Sequence, residues 1–103
     1  MKLAQLIVSM TFVMLVASAS AQSADALYKS KCQMCHAADG SGSTPAGKAM
    51  GAHNFKDPTV VSQSDAQLLA AIEKGKNKMP AYAGKMSPAE MQSVVTYVRQ
   101  LQK

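Results

Sequence analysis

The chain has no tryptophan, two phenylalanines, three tyrosines and two cysteines in 103 residues. Large apolar side chains are scarce, with nineteen of them in the 82 positions that follow the first 21. A domain of that size with so little to bury usually needs a disulfide, a metal or a bound group to complete its core. A structural disulfide is excluded by position: Cys32 and Cys35 lie three apart, and a bond between them would close a tiny loop with little effect on chain entropy. There is no internal repeat, and only Thr59-Val60-Val61 has strand-like composition, so no sheet is expected. Ser/His/Asp sets, phosphate-cradling glycine loops and paired carboxylates are all missing, which removes the common hydrolase and nucleotide-binding chemistries.

No apolar run approaches the ~20 residues that a membrane-spanning helix needs. The longest is Leu6 to Ala17, interrupted by Ser9 and Thr11, preceded by Lys2 and followed by Ala19-Ser20-Ala21. A basic start, a short apolar core and small residues at the end form a secretory signal peptide over 1–21, leaving 22–103 as the exported domain. Ala17-Ser18-Ala19 offers a second cleavage site, and the leader has no cysteine to carry a lipid. The remaining ten basic and six acidic residues give about +4 with histidine neutral, too mild a charge to indicate nucleic-acid binding.

Helical signals dominate the rest. Ser23 precedes a segment in which Leu27, Tyr28, Lys31 and Cys32 repeat at helical spacing, predicting a helix over 24–35. Asp39 to Pro45 is a run of turn formers, and 47–58, broken by Gly51 and Asp57-Pro58, supports at most a short helical turn. Ser64-Asp65-Ala66-Gln67 has the form of a capping box and opens a helix over 65–74 that stops at Gly75. Ser87-Pro88-Ala89-Glu90 is a stronger box, with proline where its missing N–H costs nothing, and opens a helix to about Gln102. Met91, Val94, Val95, Val98 and Leu101 form its apolar stripe.

The chemistry lies in Cys32-Gln33-Met34-Cys35-His36. Cysteines at i and i+3 on a helix end turn their sulfurs to one side, where they can add across the two vinyl groups of one porphyrin. The next residue, His36, then falls under the iron. This pattern reads as c-type haem attachment, with two thioethers to Cys32 and Cys35 and a proximal imidazole from His36. A thioredoxin-like redox pair would need a strand-to-helix setting that the sequence lacks. A zinc site would need four ligands, and His53 lies 17 positions beyond His36. Met79, a soft thioether stiffened by Pro80, suits a sixth iron ligand, although the residues alone leave it equally a buried gap-filler. Met86, just before the Ser87 cap, reads as core, and His53, in a polar loop, as solvated.

These motifs carry a resemblance. Cys32-Gln33-Met34-Cys35-His36 after a short helix, Gly75-Lys76-Asn77-Lys78-Met79-Pro80-Ala81-Tyr82, and Tyr97-Val98-Arg99-Gln100-Leu101 occur in the order found in small monohaem class I cytochromes c of bacteria. From Ala24 to Lys103 the chain is similar to the neighbourhood of cytochrome c6 and cytochrome c551. The resemblance implies an all-α, class I cytochrome c-like fold of three main helices and loops wrapped around one covalent haem c. Met79 would be the distal ligand opposite His36, Tyr28 would pack near Tyr97, and the Pro45 carbonyl would accept the second ring N–H of His36. It implies a soluble periplasmic electron carrier, monomeric and not an enzyme, working with redox protein partners. Lys74, Lys76, Lys78 and Lys85 flank Met79, where the family exposes its haem edge, and would face an acidic docking patch. Two other readings differ in what the iron does. One is an electron-delivery subunit or haem domain of a larger oxidoreductase. The other, a ligand-binding or peroxidase-like protein in which Met79 dissociates, lacks a distal acid or base near Met79.

Overall fold

Residues 23–103 are described by a computed structural model, so the leader expected at 1–21 lies outside the described residues. Six helices follow in order: α1 Ala24–Lys31, α2 Gln33–His36, α3 Pro45–Met50, α4 Pro58–Val61, α5 Asp65–Lys74 and α6 Pro88–Leu101. Among the described residues there is no strand, only isolated bridges between Lys76 and Met79 and between Ala83 and Met86. The all-α expectation holds, with α1, α5 and α6 as the three main helices. None of the described helices is long and apolar enough to cross a membrane.

Both predicted capping boxes form. Ser64 accepts from the Gln67 N–H at 3.1 Å while the Gln67 side chain accepts from the Ser64 N–H at 2.9 Å. Ser87 and Glu90 do the same at 3.1 and 2.9 Å. Each box satisfies two of the N–H groups that a helix start leaves without partners.

The core is the meeting of α1, α5 and α6: Leu27, Ile72, Met86, Met91, Val94, Val95 and Val98 are buried in one cluster. Each such side chain contributes about 1.5–3 kcal/mol when fully removed from water. Tyr28 is fully buried and packs on Tyr97 across the α1–α6 crossing, ring centroids 4.8 Å apart. Arg99 of α6 clamps the α4–α5 connection, donating to the Val61 and Gln63 carbonyls and, at 2.8 Å, to the Asp65 carboxylate.

The structure differs from the sequence reading in two places. The helix expected over 24–35 is interrupted at Cys32, whose φ of −115° and ψ of −36° separate α1 from α2. The stretch 47–58, expected to support at most one short helical turn, is instead entered from both ends by helices, Pro45–Met50 and Pro58–Val61. Both begin on proline behind a capping residue: Thr44 accepts from the Gly47 N–H and Asp57 from the Thr59 N–H. Thr44-Pro45 and Asp57-Pro58 are helix starts of the same kind as Ser87-Pro88, although their prolines also read as breakers.

Candidate functional site

The Cys32–His36 turn is held from three sides. From the end of α1, the Tyr28 carbonyl accepts from the Cys32 N–H at 2.9 Å. From the α3 side, the Thr44 hydroxyl donates to the Met34 carbonyl at 2.6 Å while its oxygen caps α3. Gly47 packs so closely that a Cβ there would overlap the Cys35 carbonyl oxygen and stand 2.6 Å from that of Gly42. From the following loop, Gly42 donates to the His36 carbonyl at 2.9 Å, and the Phe55 ring stacks on the imidazole at 4.6 Å between centroids. Phe55 is seated by its own N–H on the Gly40 carbonyl. Sequence reading misses Thr44 and Gly47, whose signal is the Thr-Pro cap followed by glycine.

Cys32 and Cys35 are both free thiols and half-buried. Burial pushes the Cys32 thiol up to about 11, with Cys35 adding and Lys31 opposing. The His36 imidazole is held below its usual range, chiefly by burial. The nearby His53 backbone offsets part of that effect, without reaching hydrogen-bonding geometry at Nδ1, and the His53 ring reinforces it. A neutral imidazole is the form that binds a metal.

Nδ1 of His36 is buried with no hydrogen-bond partner among the described residues. The expected partner is not in place: Pro45 is the first residue of α3, and its carbonyl does not accept from His36. The loop instead closes on the turn through the Thr44 hydroxyl and Gly47.

Met79 sits in a tightly closed loop. Lys76 and Met79 exchange backbone hydrogen bonds at 3.2 and 2.9 Å around Asn77, which adopts a φ of +54°. The loop lies against Gly75, where a Cβ would be 2.5 Å from the Met79 carbonyl oxygen. Gly75 itself has φ +72° and ψ 171°, a conformation essentially reserved for glycine. Beyond the methionine, the Tyr82 and Ala83 N–H groups donate to the Ile72 and Glu73 carbonyls near the end of α5. Met79, Tyr82 and Cys32 all pack, partly buried, against the same core cluster. Met86 is buried, as expected for a core methionine, while Met50 and the His53 side chain are exposed.

These residues fit a c-type haem. Two free thiols on one turn suit covalent attachment, and a half-buried imidazole with an orphaned ring nitrogen and a thioether packed on the core supply nitrogen and soft sulfur donors. They do not fit zinc, since no group of three or more His, Cys, Asp or Glu side chains that could hold a metal occurs among the described residues.

Comparison with known proteins gives the same chemistry. Residues 19–98 match the model of the family described as cytochrome C oxidase, cbb3-type, subunit III. Among solved structures, the KustC0563 c-type cytochrome is similar at a TM-score of 0.72 and 30% identity, over 80% of this chain and 100% of that one. A tyrosine-to-phenylalanine mutant of Kustc0563 is similar at a TM-score of 0.70 and 28% identity, over 78% of this chain and 99% of that one. No curated protein matches.

Proposed function

The chain belongs to the family of cytochrome c oxidase, cbb3-type, subunit III, as a small monohaem class I cytochrome c with covalently bound haem c, and from that premise we propose that it is a soluble periplasmic carrier of single electrons. The family's chemistry is haem-based electron transfer, the iron cycling between ferric and ferrous states with one electron gained and lost. Cys32 and Cys35 would carry the two thioethers, and His36 and Met79 would hold the iron, His36 as the proximal ligand and Met79 as the distal one. With His36 and Met79 both on the iron, no position would be open for substrate, which supports a carrier rather than an enzyme. Cleavage after Ala21 releases 22–103 as a monomer.

The observation that carries this reading is the packing of Met79 and Cys32, distant in sequence, on one core cluster. The residues' own part is to hold a closed, water-poor site: Phe55 covers the His36 ring, and the Gly75–Ala83 loop closes on α5. A thioether favours ferrous iron and raises the potential relative to bis-histidine ligation. Met79→Ala should therefore abolish the sulfur-to-iron charge-transfer band of the ferric protein, lower its potential and admit carbon monoxide to the ferrous form. A band that survives Met79→Ala would assign the ligand to another methionine.

A second reading, electron delivery within a larger oxidoreductase, is favoured by one feature. Met34, inside the attachment motif, is 76% exposed, the most exposed large hydrophobic side chain among the described residues. Copurification of the chain with a large complex from native membranes is its test.

A further inference from the structure

The interruption of the first helix at Cys32 leaves the Lys31 carbonyl, the last of α1, without an intrahelical partner. The Tyr82 hydroxyl takes it, donating at 2.9 Å across 51 positions of sequence. Among the described residues this is the only hydrogen bond that joins residues 75–86 to residues 24–37. The other bonds of the methionine loop run within itself or to α5: Lys76 with Met79, Tyr82 to Ile72, Ala83 to Glu73. Tyr82 thus stands between the two half-sites, three residues after Met79 and bonded to the residue before Cys32. Its ring is partly buried against the core, so removing the hydroxyl alone leaves the packing in place.

We propose that Tyr82 is a positioning residue whose hydroxyl ties the Met79 loop to the haem-attachment turn and so holds the sixth iron position closed. The inference rests on Met79 being the distal ligand. Opening of the loop requires the Tyr82–Lys31 bond to break along with the sulfur–iron contact. A ligand that needs the open form binds with an apparent affinity scaled by the open fraction. Losing one hydrogen bond of this kind shifts a local opening equilibrium by several-fold to about tenfold.

The test uses the haem-loaded ferric protein and imidazole as the competing ligand, titrated by visible spectroscopy. Tyr82→Phe should bind imidazole several-fold to about tenfold more tightly than the wild type. Arg99→Leu, which weakens the α4–α5 clamp and lowers the unfolding midpoint, should leave imidazole affinity unchanged. Equal affinities for wild type and Tyr82→Phe would overturn the tether, as would an equal rise in Arg99→Leu, which would reduce the effect to global destabilisation. The ligand assignment is read separately. If the wild type lacks the sulfur-to-iron band or Met79→Ala keeps it, both readings fall. If the band is present and Met79-dependent while Tyr82→Phe binds imidazole like the wild type, only the tether falls.

Discussion

Ala37, the residue after His36, adopts φ +66° and ψ 164°, a region that side chains with a Cβ seldom occupy. Three contacts impose it: its N–H donates to Gln33, and its carbonyl accepts from Gly40 and from the buried Tyr28 hydroxyl at 2.5 Å. Burial also pushes the Tyr28 phenol up, so the bond is that of a neutral donor across the ordinary pH range. Such backbone strain costs on the order of 1–3 kcal/mol, whereas the added freedom of glycine in the unfolded chain costs roughly 0.5–1 kcal/mol. Strain is the larger effect. Ala37→Gly is therefore expected to stabilise the holoprotein by about 1 kcal/mol in denaturant unfolding with unchanged visible spectra. A loss of stability would show that the surrounding bonds have relaxed the strain. Tyr28→Phe should act in the opposite direction, by about 0.5–1.5 kcal/mol, because the buried Ala37 carbonyl loses one of its two partners and keeps Gly40.

Two glycines do the corresponding work for whole elements, and each guards a different half of the site. A methyl group at Gly47 would overlap the Cys35 carbonyl oxygen, forcing α3 away from the attachment turn. At Gly75 it would meet the Met79 carbonyl oxygen at 2.5 Å in a glycine-only backbone conformation, forcing the methionine loop outward. Gly47→Ala should therefore reduce the yield of haem-loaded protein, with a normal charge-transfer band in what is recovered. Gly75→Ala should load normally and weaken or lose the band. The reverse assignment would mean that the two loops do not act separately. Neither close approach is legible in the sequence, because a glycine's neighbours in space are not its neighbours in the chain. What can be read are features with a local cause: the Ser64 and Ser87 capping boxes, the α6 stripe and the C-x-x-C-H spacing all act over short stretches of chain. The break at Cys32 escapes a sequence reading because the apolar spacing of Leu27, Tyr28 and Cys32 runs straight across it. The Tyr82–Lys31 bond escapes it because it spans 51 positions. Tyr28 with Tyr97 is the exception among distant pairs, supplied by resemblance and found at 4.8 Å.

At the scale of the molecule, charge and core have separate tasks. The buried cluster contains no polar or charged residue, so the lysines carry no structural duty there. Lys74, Lys76, Lys78 and Lys85 are exposed, flank the Met79 loop and make no ion pair among the described residues. Four unneutralised cations around one loop account for essentially all of the roughly +4 excess expected of residues 22–103. A surface patch of one sign raises the encounter rate with a partner of the other sign, and the effect weakens once salt brings the Debye length to about 8–10 Å. Solvated charges outside the iron's own shell have little leverage on its potential. Replacing all four lysines by glutamine should therefore slow electron exchange with an acidic redox protein several-fold at low salt. The potential and the unfolding midpoint should stay nearly unchanged. The wild-type rate should fall as ionic strength rises, converging on that of the quadruple variant. Stopped-flow measurements across a salt series would decide, since a wild-type rate flat in salt and equal to the variant's would leave these lysines as ordinary solvated surface.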